Sequence, residues 1–213
     1  MKDPAALLRI IDALKLLYPD ALCSLQYQQD YQLLFAVRLS AQCTDARVNL
    51  VTPSLFARFP SLQAFASASY DDVADEIHSC GFYRAKAKDL VECAKLLLEK
   101  FDGKVPGTME ELTSLPGIGR KTANLILGDI YHQPAYVCDT HCIRITGRLG
   151  ITDGSTDPLS VEKQLRQCLP PEESSDFCHR MVLHGRALCT ARSPHCGDCP
   201  LKQDCDFGQK SAE

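Results

Sequence analysis

The 213-residue sequence lacks several features that would define its class at once. No apolar run approaches the roughly 18 to 20 residues that a membrane-spanning helix needs. The start of the chain is not typical of a signal peptide, because charged residues interrupt its apolar pattern. We therefore expect a protein without a membrane segment that stays in the cytoplasm, associated with the nucleoid if bacterial.

The sequence also lacks an excess of basic residues: 23 Lys and Arg stand against 27 Asp and Glu, for a formal net charge of −4. A global basic excess is the usual signature of nucleic-acid binding, so its absence counts against that partner. Locally the balance reverses, because residues 115–150 and 176–196 each carry two more basic than acidic side chains. Charges beyond about 8 Å are largely screened, so these local patches keep a nucleic acid possible as a partner.

Convincing strand patterns are missing too, and apolar residues instead recur three and four positions apart, which is typical of helices. With no low-complexity linker, the domain boundaries come from weak breaks near residues 18–20 and 132–134. We expect an all-α fold with a central helical domain of 21–133, a second domain of 1–20 plus 134–213, and a cleft between them. The predicted helices are 5–18, 30–41, 44–59, 61–68, 71–79, 83–101, 109–114, 120–131, 140–149, 158–169 and 175–188.

Several helix ends have a local cause in the sequence. Thr108 with Glu111 predicts a capping box, and Asp157 precedes a proline at the first position of a helix. Gly81 and Gly103 lie where helices are expected to end.

Residues 109–131 predict a short helix, a five-residue turn reading Leu-Pro-Gly-Ile-Gly, and a second helix. Gly117 and Gly119 permit positive φ and leave no side chains between the turn and an incoming group. The free amides of such a turn suit a phosphate and do not read base sequence. An ordinary helix connection is the alternative.

Lys121 falls in the first turn of the second helix, where the positive end of the helix dipole opposes its charge. A lysine that attacks carbon must be neutral, whereas a free lysine has a pKa of about 10.4. The dipole, neighbouring Arg120 and partial burial would all favour the neutral amine, as a catalytic lysine requires. The alternative is an ordinary surface lysine.

Asp139 precedes the helix that begins near Thr140, so its simplest role is that of an N-cap. A cap also holds a carboxylate in place. A fixed carboxylate can stabilise positive charge on a sugar or accept a proton from Lys121, so the two roles are compatible.

Twelve cysteines in a reducing compartment argue for metal or cluster binding rather than disulfides. Four of them lie within residues 189–205, where about one is expected by chance. Their spacing, C-x6-C-x2-C-x5-C, suits either tetrahedral zinc or a [4Fe-4S] cluster. The eight others fall mostly in apolar stretches and are interpreted as small core residues.

Taken together, these motifs resemble the endonuclease III family of helix-hairpin-helix DNA glycosylases over almost the whole chain. The matching segments are Leu-Ser-Ala-Gln-Cys-Thr-Asp at 39–45, Leu-Pro-Gly-Ile-Gly-Arg-Lys-Thr-Ala at 115–123, Val-Cys-Asp-Thr-His at 137–141, Leu-His-Gly-Arg at 183–186 and the cysteine run at 189–205.

The resemblance implies a bifunctional enzyme of base excision repair that acts as a monomer on damaged double-stranded DNA. Lys121 would attack C1′ of an oxidised or ring-saturated pyrimidine nucleotide or an abasic site, with help from Asp139. β-Elimination from the Schiff base would then break the strand 3′ to the lesion. A [4Fe-4S] cluster would have a structural role; its ligands would be Cys189, Cys196, Cys199 and Cys205.

The resemblance also implies a set of DNA contacts. Gln42 matches an inserted glutamine, and Phe82 occupies a wedge position where the family commonly has an aliphatic residue. Without the resemblance, these two residues would be a helix-end residue and a core aromatic. His141 contacts the sugar-phosphate or makes a structural hydrogen bond, and Arg192 faces phosphate from a loop that is less basic than is usual in the family. The remaining implied contacts are the hairpin residues Leu115, Gly117, Gly119 and Thr122.

Three alternatives remain from the residues themselves. A non-catalytic DNA-binding or redox module would need neither Lys121 nor Asp139. A glycosylase for mismatched bases generally lacks the lysine. A zinc-stabilised helical protein would be colourless when purified.

Overall fold

The computed structural model describes residues 2–210, which form helices and connecting loops without a strand. The predicted all-α fold is thereby confirmed. The α-helices of this part of the chain are α1 (Pro4–Leu17), α2 (Asp30–Ser40), α3 (Asp45–Arg58), α4 (Leu62–Ser67), α5 (Tyr70–Glu76), α6 (Tyr83–Lys100), α7 (Met109–Ser114), α8 (Arg120–Asp129), α9 (Thr140–Leu149), α10 (Pro158–Cys168), α11 (Ser174–Ala187) and α12 (Asp206–Lys210). Short 3₁₀ helices occur at Pro171–Glu173 and Lys202–Asp204.

The chain divides into two compact units. The central unit is Cys23–Tyr131, and the terminal unit combines Met1–Leu22 with His132–Glu213. Met1 and residues 211–213, which the predicted second domain includes, lie outside the described residues.

Helix α2 forms the middle of the central unit, because every residue from Tyr31 to Val37 is buried. The ring of Phe35 meets that of Phe65 on α4 edge to face, with centroids 5.0 Å apart, a favourable aromatic geometry. Helix α6 packs against α4 and α5. The loop that follows α2 therefore leaves from a well-packed element.

The terminal unit is built around α9 and α11, which pack against each other. Ile145 and Leu149 of α9 and Phe177 and Met181 of α11 are almost fully buried. Helix α1 joins this unit from the other end of the sequence, and buried Arg180 donates from Nε to the carbonyl of Tyr18 at 3.3 Å.

The helix ends largely follow local chemistry. Thr108 accepts a hydrogen bond from the backbone N–H of Glu111, and Asp157 caps α10. Gly103, with φ +72°, follows α6 as expected. The prediction for Gly81 is wrong: α5 has already ended at Glu76, and the left-handed residue is its neighbour at position 82.

The interpretation of eight cysteines as core residues is correct for five and wrong for three. Cys80, Cys93, Cys138, Cys142 and Cys178 are buried, whereas Cys23, Cys43 and Cys168 are partly exposed at the edges of the helix packing. Within residues 2–210, no helix combines the length and apolar character needed to span a bilayer.

Candidate functional site

Helices α7 and α8 form the predicted hairpin, joined by the turn at 115–119. Leu115 and Ile118 are buried, and the N–H of Ile118 donates to the carbonyl of Leu115 at 3.1 Å. Two apolar anchors and one hydrogen bond thus fix the turn on the central unit.

The two turn glycines have different physical reasons. Gly117 has φ +72°, the left-handed conformation that favours glycine. Gly119 is the N-cap of α8 with φ −96°, so it does not adopt the positive φ that a glycine permits. A Cβ on Gly119 would meet nothing within 4 Å, so the protein's own packing does not require a glycine. Its lack of a side chain instead leaves the N-terminus of α8 open to an approaching group.

Lys121 is the second residue of α8, and Thr122, its neighbour, is partly buried. The expected partial burial of Lys121 is wrong, because the residue is exposed. Among residues 2–210 its side chain forms no hydrogen bond or ion pair. The amine is therefore sterically free to meet a reactant.

Gln42 and Phe82 share an unusual backbone conformation. Their φ angles are +53° and +57°, and both residues are exposed, Phe82 by 70%. The alternative of a core aromatic is thus wrong for Phe82. Left-handed conformations of bulky residues cost about 1 to 3 kcal/mol and persist at functional sites.

Three charged residues that support the loops at Gln42 and Phe82 were not predicted from the sequence. Arg38 pairs with Asp89, and buried Lys86 donates from Nζ to the carbonyl of Leu39 at 2.8 Å. Burial lowers the pKa of Lys86. Charged residues in amphipathic helices are ordinarily assigned to the solvent face, so the periodic pattern gave no signal for them.

Asp139 is the N-cap of α9, as its position suggested. Its Oδ1 accepts from the backbone N–H of Cys142 at 2.8 Å, and the residue is partly exposed. The carboxylate is therefore held in one orientation while one face stays accessible. Asp139 belongs to the terminal unit, and Lys121 belongs to the central unit.

His141 lies in a tightly packed corner of the terminal unit. Arg144 approaches its Nδ1 through Nη2 at 3.1 Å and donates from the same nitrogen to the carbonyl of Cys189 at 2.9 Å. A Cβ on Gly185 would overlap the His141 ring. The glycine of the Leu-His-Gly-Arg segment is thus required by the space that His141 occupies.

The four C-terminal cysteines, at 189, 196, 199 and 205, line one cavity of about 20 Å³. Burial raises the pKa of Cys199 and Cys205, and the neighbouring thiols raise it further. In residues 2–210, no three His, Cys, Asp or Glu side chains are placed to hold a single metal ion. Four thiols around one cavity are a ligand set for either one zinc ion or an iron-sulfur cluster.

Arg148 of α9 holds the loop that carries the first of these cysteines. Its Nη1 donates to Cys189 Sγ at 3.3 Å and to the carbonyl of Thr190 at 2.8 Å, and its Nη2 donates to the carbonyl of Ala191 at 2.8 Å. Arg192, next along the loop, is exposed. No local sequence pattern indicates this role of Arg148, because its partners lie some 40 residues away.

His184 closes the cavity from the side of α11. Its Nδ1 lies 3.2 Å from the hydroxyl of Tyr18, and its Nε2 lies 3.6 Å from Cys199 Sγ. Burial lowers the pKa of His184 to about 4, so the ring is neutral at physiological pH. A neutral ring fits beside the thiols without adding charge.

The helical hairpin and the cysteine-lined cavity correspond to two known families. Residues 35–171 match the HhH-GPD superfamily of base excision DNA repair proteins, and residues 189–205 match the iron-sulfur binding domain of endonuclease III. The chain is therefore a helix-hairpin-helix protein of base excision DNA repair with an iron-sulfur domain.

More specifically, the chain belongs to the endonuclease III family. It is 47% identical to endonuclease III of Synechocystis sp. over 95% of this chain and 92% of that protein, and 34% identical to the Escherichia coli protein over 98% of both. A trapped endonuclease III–DNA covalent intermediate matches with a TM-score of 0.94 and 38% identity over the full length of both chains. A non-covalent endonuclease III–DNA complex also has a TM-score of 0.94, with 39% identity and coverage of 100% and 99%.

Family membership defines the enzyme class. The chain is a DNA N-glycosylase with abasic-site lyase activity, it binds DNA, and it carries a [4Fe-4S] cluster. The expected family, enzyme class and cofactor are thereby confirmed.

Proposed function

We propose that this enzyme removes oxidised pyrimidines from double-stranded DNA and cleaves the resulting abasic site through a Schiff base on Lys121. The observation that carries this proposal is that Lys121 is exposed and forms no hydrogen bond or ion pair with any other residue of 2–210. It lies one residue beyond the start of a helix that a glycine turn leaves open. Similarity over the full chain to a trapped covalent endonuclease III–DNA intermediate supports a covalent reaction.

The chemistry begins with the neutral Lys121 amine, which attacks C1′ while the damaged base departs and takes up a proton. Loss of the amine proton and opening of the sugar give a protonated Schiff base. This positive group makes the C2′ hydrogen acidic, and its removal expels the 3′ phosphate by β-elimination. Water then hydrolyses the imine and returns the lysine.

Asp139 stabilises the positive charge that develops on the sugar and accepts a proton from Lys121. Its hydrogen bond to Cys142 N–H holds the carboxylate in place before the substrate arrives. Preorganised charge of this kind is often the largest catalytic contribution.

The proposed DNA contacts have complementary roles. The open amides of the turn at 115–119 bind phosphate. Gln42 and Phe82 fill the space that the damaged nucleotide leaves in the base stack. Removal of the nucleotide from the stack costs a few kcal/mol. His141 and Arg192 contact the sugar-phosphate backbone, and one monomer acts on one lesion.

The proposed ligands of the [4Fe-4S] cluster are Cys189, Cys196, Cys199 and Cys205. When bound, the cluster would stabilise the structure of the loop. Arg148 and the backbone N–H of Gly208, 3.3 Å from Cys205 Sγ, donate to ligand sulfurs. Loop residue Arg192 is then held toward DNA phosphate.

Borohydride trapping tests the proposed nucleophile. The enzyme is incubated with a duplex containing thymine glycol, borohydride is added, and the covalent protein–DNA band is quantified. Wild type and the exposed-lysine control Lys100→Ala should give the band, whereas Lys121→Ala should bind the duplex without trapping. An equal band from Lys121→Ala would contradict the assignment of the nucleophile. Wild type that binds this duplex without trapping would contradict the Schiff-base mechanism.

A further inference from the structure

Arg38 and Asp89 form an ion pair that joins α2 to α6 within the central unit. The Nε and Nη2 of Arg38 both donate to Oδ2 of Asp89, at 2.8 Å and 2.6 Å. The two side chains are only 17% and 24% exposed. Such a pair is screened less than a surface ion pair, and loss of one partner leaves the other charge poorly solvated.

The turn of the hairpin rests directly on this pair. A Cβ at Gly117 would come within 2.5 Å of Asp89 Oδ2 and would also overlap Nε of Arg38. The backbone at the middle of the turn is therefore in contact with both charged groups. Buried Leu115 and Ile118 hold the turn on either side of that contact.

The same two helices lead to the other proposed DNA-facing residues. Arg38 lies four residues before Gln42, and Asp89 lies seven residues after Phe82, or about 10 Å along a helix. A second link, from Lys86 to the carbonyl of Leu39, joins α6 to the end of α2 beside the first. A shift of the ion pair would therefore displace the turn and the two exposed loops that carry Gln42 and Phe82.

An ion pair is not the simplest way to stabilise such a contact. Apolar residues of similar volume often stabilise a partly buried site as well or better. The planar guanidinium differs from an apolar side chain because its N–H donors point in fixed directions. These donors therefore fix the orientation of the partner carboxylate. Direction matters here because phosphate-binding amides and a nucleophile need geometry held to within about 0.5 Å.

We propose that Arg38 and Asp89 are positioning residues, whose ion pair sets the height and orientation of the turn at 115–119 relative to DNA. This inference rests on the proposed function, since it assumes that the turn binds phosphate. Neither side chain needs to touch the substrate: both act through the backbone of Gly117.

The test compares Arg38→Met, Asp89→Asn and the charge swap Arg38→Asp/Asp89→Arg with wild type. Fluorescence anisotropy gives the Kd for a duplex with a tetrahydrofuran abasic analogue at several salt concentrations. Borohydride trapping at saturating thymine glycol duplex gives the rate once DNA is bound. Circular dichroism confirms that each variant is folded at the assay temperature.

We expect the single variants to raise Kd by roughly 10-fold, the scale of one lost hydrogen bond to a charged phosphate. The slope of log Kd against log salt should fall by about one, as for the loss of one phosphate contact. The trapping rate at saturation should change less than Kd, and the charge swap should recover part of the affinity. Arg58→Met breaks exposed pairs with Asp72 and Glu76 in the same unit and should leave Kd unchanged.

A folded Arg38→Met variant with wild-type Kd and salt slope would overturn the proposal, as would a lower melting temperature alone. If Arg38→Met does not fold, Arg38→Lys replaces it, because lysine keeps the charge and lacks the fork. Its Kd should then lie above that of wild type, and an unchanged Kd would overturn the proposal. Wild type that does not bind the abasic duplex would contradict the proposed function itself, and this inference with it.

Discussion

Two exposed residues of the central unit hold backbone conformations that cost free energy. Gln42 and Phe82 both have positive φ although neither is glycine. Glycine, asparagine and aspartate adopt positive φ more readily than glutamine or phenylalanine does. Residues kept in a strained conformation and turned to solvent are typical of binding surfaces, where stability is lost for activity.

Phe82→Asn should separate stability from binding. Asparagine tolerates the left-handed conformation better than phenylalanine, so the free energy of unfolding should rise by about 1 kcal/mol. Affinity for a duplex with an abasic analogue should fall, because the wedge ring is absent. Denaturant unfolding and fluorescence anisotropy measure the two effects. A less stable variant would contradict the claim of backbone strain at Phe82, and an unchanged Kd would contradict its role as a wedge.

Asp139→Asn should separate the cap from the charge. Asparagine caps a helix about as well as aspartate, so the melting temperature should stay the same. The single-turnover rate of base release should fall by about 100-fold or more, because the charge and the proton acceptor are lost. Binding should change little.

Asp157→Asn is the matched control, since Asp157 is likewise an N-cap in the terminal unit. It should keep both stability and rate. An equally large loss of DNA binding in Asp139→Asn would point to a structural role of the carboxylate instead.

At the scale of helices, periodicity and caps determined most of the fold. All eleven predicted helices exist, with ends within three residues of the observed ones. Helix α12 was missed because five residues are too few for a period to be recognised. The caps at Asp139 and Asp157 involve residues three positions apart and could be predicted locally.

Contacts between distant helices could not be predicted from such patterns. The Arg38–Asp89 pair joins residues 51 positions apart, and each member looks like an ordinary charged residue of an amphipathic helix. The position of Lys121 was recognised from its motif, but its exposure depends on how the turn packs. Long-range packing therefore decides which charged residues support the site.

Arg148→Met should loosen the cluster loop. The variant loses the hydrogen bonds to Cys189 Sγ and to the carbonyls of Thr190 and Ala191. We expect less iron per chain and faster loss of the broad visible absorbance when a chelator is added. Arg166→Met, which removes an arginine paired with Glu162 elsewhere in the terminal unit, should retain the cluster. Equal iron retention in both variants would contradict the role of Arg148.

For the whole molecule, net charge is a poor guide to the partner. The chain carries −4 overall, yet it belongs to a family of base excision DNA repair proteins. Of the basic residues in 115–150 and 176–196, Arg192 is exposed, whereas Arg180 is buried and Arg148 is bonded to the cysteine loop. The weak sequence breaks near 18–20 and 132–134 lie beside the division of the two units after Leu22 and Tyr131. Composition alone counts against DNA as a partner.

Arg192→Ala should weaken binding to the same extent for all lesions. If its guanidinium neutralises one phosphate, the slope of log affinity against log salt should become shallower by about one. Lys163→Ala, outside both basic segments, should leave the slope unchanged. Anisotropy titrations over a series of salt concentrations measure this. A loss confined to one lesion would show that Arg192 reads the damage and not the backbone.

The terminal unit is assembled from two distant parts of the chain, and this has a consequence for synthesis. Arg180 bonds to Tyr18 across 162 residues, which a ribosome needs on the order of 10 s to translate. Helix α1 therefore leaves the ribosome first, and α11, against which it packs, follows only after the whole central unit has been translated. The cysteines at 189–205 follow later still. The hairpin has therefore had time to fold before the last of the four cysteines is available to bind iron and sulfur.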